Sequence, residues 1–392
     1  MQKLRKRVYL DWAAAAPVAP RARRAFTRAL AIYGNPSGAH AEGRAARMVL
    51  EDARRTIARL TEVKADDIIF TSGATEANAL ALLGHIHALR ENGRAESRTH
   101  LLYLPTAHRS VIETVFALMR QGVAAEPLPL ASDGRVDTET LVRMLRPETA
   151  LISMDAVCGE TGTIWNTREV RRVLEHMGEK GPRPLLHVDA SQAPLATRIT
   201  RSHWGADLLV LDAQKAGGVR GIGALIAHRT IPLVPLTRGG GHERGVRPGT
   251  EPVALAASFA AALEVATAGR ERFVAHAAHT RHALLAALAP IPALMPNGGK
   301  ETVPHIVNIS LVGRDTDYLV ALLDEAGFAV STRSACETDA AGSHVVLALT
   351  NDVARAASTL RISWGPETKE VDCRRFAHAL AQGVAFLDGD AV

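Results

Sequence analysis

Lys215 is the residue of this sequence whose setting best suits covalent chemistry. The apolar residues 208–211 predict a buried strand, and Lys215 follows it in the segment Asp212-Ala-Gln-Lys, ahead of four glycines and a second apolar run at residues 224–227. Glycine allows backbone to approach a ligand closely, and a partly desolvated amine has a lowered pKa that suits it to forming a Schiff base. Taken alone, this stretch favours a solvated lysine in a hairpin turn.

Two other segments place polar groups after predicted strands. Asp189, in His187-Val-Asp-Ala-Ser-Gln192, ends an apolar strand, where a carboxylate points into the ligand crevice of an open α/β sheet and can pair with a protonated ring nitrogen of a cofactor. Ser72-Gly-Ala-Thr75 lies between a strand and a helix start, so its N–H groups and hydroxyls predict an anion site. Both segments have a structural alternative, because Asp and Ser are also common helix N-caps.

A glycine- and arginine-rich loop and an isolated cysteine are the remaining candidates. Residues 239–250 predict either a flexible surface loop or, as their Gly and Arg content favours, a loop that approaches an anionic ligand. Cys336 lies in a small-residue, polar segment and predicts an exposed, mobile thiol, whereas Cys373 has the setting of a structural residue on a helix. The three cysteines are far apart, which argues against disulfides and for a reducing cytoplasm.

The pattern of apolar residues predicts the elements that must position these groups. Strand-like and helical stretches alternate as far as Thr250, which indicates parallel strands with helical crossovers. An Ala-rich helical stretch follows at about residues 252–288, with Gly269 as a candidate break and Arg270, Arg272 and Arg281 expected on its solvated face. We therefore predict an α/β large domain over residues 15–265 and a smaller α+β domain over residues 266–392, which the N-terminal segment 1–14 joins.

Composition excludes several classes of protein. The 392 residues are 47% hydrophobic and 22% charged, and the net charge of +5 is spread thinly, so no direct nucleic-acid partner is expected. The basic start of the chain is not followed by an apolar segment typical of a signal peptide, and no run of 18 apolar residues predicts a membrane span. No His/Cys spacing typical of a metal site occurs.

Taken in order, these segments resemble the cysteine desulfurases of the NifS/IscS group, which belong to the class-V aminotransferases of pyridoxal-phosphate (PLP) fold type I. The resemblance covers about residues 8–365, and the Ser-Ala-Cys segment favours the desulfurase branch. The matching residues are Tyr9-Leu-Asp11, Gly34-Asn-Pro-Ser37 with His40 and Gly43-Arg44, Phe70-Thr-Ser-Gly-Ala-Thr-Glu-Ala-Asn78, His108, His187-Val-Asp-Ala-Ser-Gln192, Lys215, residues 239–250, Arg333-Ser-Ala-Cys336 and Leu360-Arg-Ile-Ser363.

The resemblance implies a role for each of these residues toward pyridoxal 5′-phosphate. Lys215 would hold the cofactor as a Schiff base, and Asp189 would keep its ring nitrogen protonated. His108 would stack on the ring and assist proton transfer. The remaining cofactor contacts would come from Gln192 at the phenolate oxygen, Gln214 as a hydrogen-bond donor, Ala74 and Thr75 at the phosphate, and Thr250 from the other subunit of a homodimer.

The resemblance also implies the reaction and its partners. Arg361 and Asn35 would bind the substrate L-cysteine, with Arg361 clamping its carboxylate. The Cys336 thiolate would attack the substrate sulfur, which yields L-alanine and a persulfide on Cys336. A sulfur-acceptor protein, such as an iron–sulfur scaffold, or tRNA thiolation would then use the sulfur in the cytoplasm, with no membrane and no metal involved.

Three departures from the family pattern leave alternatives open. The usual Ser-x-His-Lys is Asp212-Ala-Gln-Lys215, the usual Asn-Asn-Glu is Cys158-Gly-Glu160, and the early Asn-Asn-Ala-Thr-Thr-Pro is Trp12-Ala-Ala-Ala-Ala-Pro17. An acid beside a phosphate is repelled, so Asp212 would turn away, be neutralised by an arginine such as Arg220, or weaken cofactor affinity. The alternatives are a selenocysteine lyase or another class-V enzyme, and a degenerate homologue that serves as a scaffold.

Overall fold

A computed structural model describes residues 7–95, 98–178, 183–332 and 342–389, so Cys336 lies outside the described residues. The strands are β1 Val8–Tyr9, β2 Ile68–Thr71, β3 His100–Tyr103, β4 Ala124–Pro127, β5 Thr149–Asp155, β6 Leu185–Asp189, β7 Leu208–Asp212, β8 Gly223–Ala227, β9 Leu294–Asn297, β10 Ile306–Leu311, β11 Phe328–Ala329 and β12 Thr359–Ser363. The α-helices are α1 Pro20–Ala29, α2 Ala41–Thr61, α3 Ala74–Ala79, α4 His85–Glu91, α5 Arg109–Arg120, α6 Thr138–Met144, α7 Thr167–Gly178, α8 Arg201–Trp204, α9 Val253–Leu288, α10 Thr316–Glu325, α11 His344–Thr350, α12 Val353–Ala357 and α13 Glu370–Asp388.

A seven-stranded sheet with the order β2-β8-β7-β6-β5-β3-β4 forms the centre of the molecule. Its strands pair in parallel from β7 across to β4, whereas β8 runs antiparallel to both β7 and β2. The middle strands are buried along their whole length, as β5 and β7 show, because helices cover a mainly parallel sheet on its faces. The predicted mainly parallel central sheet is confirmed.

The carboxyl ends of three neighbouring parallel strands carry an aspartate each. Asp155 ends β5 and lies in register with Asp189 at the end of β6, while Asp212 ends β7 two residues beyond the partner of Asp189. All three side chains are buried. Because the ends of parallel strands meet at one edge of a sheet, three carboxyl groups from distant parts of the sequence lie at the same edge.

A second group of buried side chains lies around the antiparallel sheet β12-β10-β9. It contains Trp364 and Phe376 from the C-terminal part of the chain together with Val8 and Leu10 from the N-terminal part. The short parallel pair of β1 with β11 joins the two ends of the chain. The antiparallel sheet and its helices are of the α+β kind, and the residue limits given for the two domains stay a prediction.

Helix α9 is one continuous helix of 36 residues, which Gly269 does not interrupt. A helical glycine costs about 1 kcal/mol relative to alanine, and the packing of this helix against α1, α2 and α13 outweighs that cost. By length and hydropathy alone the helix could cross a membrane. However, Phe259 and Leu263 lie in one group of buried side chains and Phe273 and Leu284 in the other, so α9 is a core helix that links them.

The prediction that all three arginines of α9 lie on a solvated face is wrong for Arg281. Its Nη1 donates a hydrogen bond to the Ile306 carbonyl oxygen at 2.7 Å, and the side chain is half-buried. Arg270 is half-buried as well, whereas Arg272 is exposed as predicted. The reason is tertiary: the chain leading into β10 covers the part of the helix where Arg281 lies, and the guanidinium satisfies carbonyl oxygens there.

Candidate active site

A cavity opens at the sheet edge where the three aspartates end their strands. Its walls come from the central sheet, from the N-terminal segment and, through Arg361, from β12. The cavity brings together eight of the residues singled out from the sequence: Ala74, Thr75, His108, Asp189, Gln192, Gln214, Lys215 and Arg361.

Three predicted site residues are not among those that line the cavity in the described structure. Asn35 is exposed, and its side chain accepts a hydrogen bond from the Ser37 N–H at 2.9 Å. Thr250 is exposed on the 239–250 loop. Cys336 lies outside the described residues, so its distance from the cavity is not defined.

Lys215 reaches the cavity from a short 3₁₀ turn, Gln214–Ala216, directly after β7. Its Nζ donates hydrogen bonds to the carbonyl oxygens of Ala13 and Ala14, each at 2.7 Å. The alanine-rich segment that departs from the family pattern therefore contributes main-chain oxygens to the site in place of polar side chains. These contacts hold the lysine amine inside the cavity, where the hairpin-turn alternative would leave it in solvent.

Asp189 is held in place by two hydrogen bonds at the end of β6. Its Oδ1 accepts from the Ser191 N–H at 2.9 Å, and its Oδ2 accepts from Asn78 Nδ2 at 2.7 Å. The side chain is 7% exposed, so the carboxylate is buried but still lines the cavity. A carboxylate fixed in this way suits a charged ring nitrogen better than a helix N-cap role.

Asn78 is a functional candidate that the motif contained without a role being assigned to it. Besides Asp189, its Nδ2 donates to Ser110 Oγ at 3.0 Å, and its Oδ1 accepts from His187 Nε2 at 3.1 Å. The side chain is fully buried. Its spacing of three residues from Thr75 places both on one helix face, which was the available signal, because a polar residue on a buried face needs partners.

His108 is fixed as a neutral imidazole with a defined tautomer. Its Nδ1 accepts from the Ser110 N–H at 3.1 Å, so the ring proton resides on Nε2. The ring is accessible from the open cavity, and desolvation by the cavity wall lowers the pKa of His108. Burial likewise lowers the pKa of His187, behind the cavity, to about 4. The histidines around Asp189 are therefore neutral hydrogen-bonding groups at neutral pH.

Arg361 brings a guanidinium from β12 into the cavity, with 3% of the residue exposed. Its Nη2 donates to Asp11 Oδ1 at 2.8 Å and its Nη1 to the Gly159 carbonyl oxygen at 3.1 Å. A Cβ on Gly159 would lie 3.0 Å from Gln192 Nε2. Glycine in place of the family's asparagine thus matches the position that Gln192 takes here, where it donates to the Ala13 carbonyl oxygen.

Asp212 points into the cavity wall and does not turn away. Its Oδ2 accepts from the Ala74 N–H at 3.1 Å and its Oδ1 from the Gln214 N–H at 2.9 Å. Burial raises the pKa of Asp212, although these two hydrogen bonds oppose the rise. Arg220 is exposed, and no hydrogen bond or ion pair of Arg220 with Asp212 occurs in the described structure. The carboxyl group therefore occupies one backbone donor of the predicted anion site, the Ala74 N–H.

Asp155 and Cys158 are two further groups of the cavity to which sequence reasoning gave no role. Asp155 is 5% exposed, and its Oδ1 has no hydrogen-bond partner among the described residues. Burial, with a contribution from the charge of Asp189, raises the pKa of Asp155 well above its ordinary value. Burial also raises the pKa of the Cys158 thiol to about 11, so this thiol is not a thiolate at neutral pH. In the described part of the chain no cluster of residues suits a metal ion.

Comparison with known proteins gives matches along almost the whole chain. The model of the aminotransferase class-V family matches residues 8–376. The protein named cysteine desulfurase IscS 1 from Archaeoglobus fulgidus is 32% identical over 375 residues, which cover 95% of each chain.

Solved structures with the same fold include two informative ones. A NifS-like protein has a TM-score of 0.89 at 27% identity and covers 97% of this chain and 100% of its own. SspA, solved in complex with cysteine, has a TM-score of 0.76 at 28% identity and covers 91% of this chain and 99% of its own. The α/β fold type predicted from the sequence is confirmed by these neighbours.

Proposed function

The chain belongs to the aminotransferase class-V family, alongside relatives that are cysteine desulfurases, and on that premise we propose that it is itself a cysteine desulfurase that converts L-cysteine to L-alanine. The observation that carries the proposal is the cavity, which holds Lys215, Asp189, His108 and Arg361 together. The names of the relatives give no support to a selenocysteine lyase or to an inactive scaffold.

The residues of the cavity fit pyridoxal 5′-phosphate as the cofactor. The cavity supplies the groups that a pyridine aldehyde requires. They are an amine held by two carbonyl oxygens, a buried carboxylate fixed by Asn78 and Ser191, and a neutral imidazole. Lys215, Asp189, His108 and Gln192 would hold the ring, and Ala74, Thr75 and Gln214 would hold the phosphate. When bound, the cofactor supplies an electron sink for charge that develops at the substrate's α-carbon.

Different residues of the chain would transfer protons and orient the cofactor. Lys215 Nζ is the candidate base for the substrate's α-proton, because it is the amine that faces the cavity. His108 carries its proton at Nε2 and can donate a hydrogen bond from it, since Nδ1 accepts from the Ser110 N–H. Asp189 keeps its negative charge directed at the ring nitrogen through the two hydrogen bonds that it accepts.

Arg361 is the candidate clamp for the substrate carboxylate. Asp11 and the Gly159 carbonyl oxygen hold two of its nitrogens, which fixes the plane of the guanidinium. A fixed guanidinium fork binds a carboxylate with two parallel hydrogen bonds. The complex of the structural neighbour SspA with cysteine supports L-cysteine as the ligand of this site.

Described residues on both sides of the Cys336 segment lie at or beside the cavity. On one side Ser331 is bonded to Arg361 through the main chain, with the Arg361 N–H donating to the Ser331 carbonyl oxygen at 2.6 Å. On the other side His344 lines the cavity. We propose that the Cys336 thiolate is the nucleophile: its sulfur attacks the substrate sulfur, an S–S bond forms and the C–S bond breaks. The electron pair stays with the substrate carbon, which takes up a proton and leaves as alanine.

A homodimer would complete the site. Thr250 lies on the 239–250 loop, which a buried ion pair between Arg54 Nη2 and Glu243 Oε1 (2.6 Å) anchors to α2. The anchored loop presents an exposed Thr250, and a second copy of the chain would accept it at the phosphate. The persulfide would pass to an acceptor protein, such as an iron–sulfur scaffold, or to tRNA thiolation in the cytoplasm, a compartment that suits the free cysteines Cys158 and Cys373.

The direct test is alanine formation from L-cysteine by the purified protein with pyridoxal phosphate and a thiol reductant. We expect the wild type to form alanine and Lys215→Ala to form none, because the variant has no amine in the cavity. Cys336→Ala should stop turnover, whereas Cys373→Ala, on a helix outside the cavity, should retain it. A loaded wild type that forms no alanine would contradict the proposed function.

A further inference from the structure

Asp212 lies where the proposed function needs an anion to bind. It accepts hydrogen bonds from the backbone N–H groups of Ala74 and Gln214, and both of these residues line the cavity. Asp212 is 6% exposed, so water cannot replace these bonds easily. A phosphate that enters this end of the cavity meets a carboxyl group within the set of donors that would bind it.

The charges that face Asp212 do not cancel its charge. Asp189 ends the neighbouring strand and Asp155 the next one, so two of the nearest groups are acids. Lys215 follows in the turn as the one lysine that lines the described cavity. The other charged side chains and the histidines of the lining, besides Arg361, are Arg109, whose Nη1 lies 3.4 Å from Glu113 Oε1, Glu160, His108 and His344. Glu76 on α3 is bonded to the Ser72 N–H and to Arg247.

The guanidinium of Arg361 is also engaged elsewhere, because it forms an ion pair with Asp11 at 2.8 Å. The charge of Lys215 favours an ionised Asp212, whereas the charge of Asp189 opposes it. An ionised Asp212 beside a phosphate dianion would put two like charges in one buried site, and these disfavour each other. A protonated Asp212 has the opposite effect, since its O–H donates to a phosphate oxygen. Burial already raises the pKa of Asp212 toward that form.

We propose that Asp212 binds the phosphate of the cofactor as a neutral carboxylic acid, so that loading of the phosphorylated cofactor takes up one proton. The proton comes from solvent and forms an O–H bond on one carboxyl oxygen of Asp212, while the other oxygen keeps accepting from backbone N–H. Release of the cofactor returns the proton. Asp212 is thus a specificity residue that couples cofactor affinity to pH, and this inference rests on the proposed function.

The test measures binding of pyridoxamine 5′-phosphate, which has no aldehyde and cannot react with Lys215. The full-length protein, freed of cofactor, is titrated from about pH 7 to about pH 8.5, above the second phosphate pKa of about 6. Wild type should lose about tenfold in affinity per pH unit, the slope for uptake of one proton. Asp212→Asn, neutral and of the same shape, should give a flat profile and bind at least about tenfold more tightly than wild type at the upper end.

Controls separate the phosphate from the ring and from folding. Pyridoxamine, which has no phosphate, should bind wild type and Asp212→Asn equally and without this slope. Calorimetry of wild type in two buffers of different ionisation enthalpy should count about one proton per phosphate bound, which needs no variant. If Asp212→Asn does not fold, Asp212→Ser takes its place. Equal slopes in wild type and variant, or no proton taken up, would overturn the proposal.

The outcome for Asp212 is distinguishable from that of the proposed function. Binding of pyridoxamine 5′-phosphate requires no turnover, whereas alanine formation requires the complete site. Proton-linked binding without alanine formation would overturn the desulfurase proposal and leave the role of Asp212 standing. Alanine formation with binding that does not depend on pH would do the reverse.

Discussion

At the scale of single residues, the cavity of the described structure combines Glu160 and three strand-end aspartates with one lysine. The three differ in their hydrogen bonds: Asp189 and Asp212 each accept two, whereas Asp155 Oδ1 has no partner among the described residues. A buried carboxylate without donors is costly, so the neutral acid is the stable form of Asp155. By the proposed function, its neighbour Asp189 is the carboxyl group that faces the ring nitrogen of the cofactor.

Asp155→Asn tests this assignment through stability. The pKa of Asp155 is raised by burial above its unfolded value, so the folded protein holds a proton that the unfolded chain releases above about pH 4. Wild-type stability therefore falls as pH rises above about pH 4, by up to about 1.4 kcal/mol per pH unit for this group. The variant lacks this loss and should have the higher urea midpoint at about pH 8, with the two curves converging near about pH 4.

The matched control for that measurement is Asp66→Asn, which changes an exposed aspartate and should leave the difference from wild type the same at both ends of the range. An Asp155→Asn protein that is less stable than wild type at the high-pH end would mean that Asp155 is ionised in the folded state.

At the scale of elements, two glycines differ in what the backbone requires of them. Gly73 precedes α3 at a φ of 155°, a conformation that L side chains rarely adopt, and this turn brings the Ala74 N–H to Asp212. Gly269 lies inside α9 with helical backbone and open space around its Cα. The backbone conformation at position 73 requires glycine. Gly269 only lowers the helix propensity of α9, which packing stabilises.

Gly269→Ala should therefore stabilise the protein, by about 0.5–1 kcal/mol, because alanine reduces the conformational entropy of the unfolded chain at no cost to the folded one. Gly73→Ala is the matched variant and should destabilise, because its φ is unsuited to alanine. Urea unfolding of both proteins beside wild type gives the comparison. A destabilised Gly269→Ala would show that the surface of α9 at this point is covered in solution.

At the scale of the whole molecule, the cavity needs both groups of buried side chains and, by the proposed function, two copies of the chain. Arg361 comes from the C-terminal sheet, and Lys215 from the central sheet. Thr250 is exposed on a loop held by the buried Arg54–Glu243 ion pair, which positions it for another subunit. No single core of the fold contains the complete site.

Mixing two inactive variants tests the shared site. Lys215→Ala has no amine, and Thr250→Ala should bind cofactor at least about tenfold more weakly, because a hydrogen bond to a charged group contributes about 1.5–3 kcal/mol. In a mixed dimer one site has both Lys215 and its partner's Thr250. At limiting cofactor, re-associated mixtures should recover up to about a quarter of wild-type alanine formation, by the symmetry of a two-fold dimer. Mixed dimers that stay inactive would place Thr250 in the site of its own subunit, and wild-type cofactor affinity of Thr250→Ala would place it outside the site.

The sequence by itself determined the type of the elements and the identity of the main reactive groups. The periodicity of apolar residues predicted the strands that end at Asp189 and Asp212, and the strand and turn signals around Lys215 singled it out, because such signals depend on neighbouring residues. His108 and Arg361 were singled out only by the resemblance to a known family. Cys336 stays a prediction, since it lies outside the described residues.

Only the tertiary structure decided which of these groups meet. Asp212 bonds to Ala74 across 138 positions of sequence, and Asp155 lies beside Asp189 because β5 and β6 are neighbours in the sheet. The covered position of Arg281 on α9 has the same origin. Periodicity indicates which face of an element is buried but not which distant element covers it, so the proton-holding carboxyl groups of the cavity emerge only when strand order and register are known.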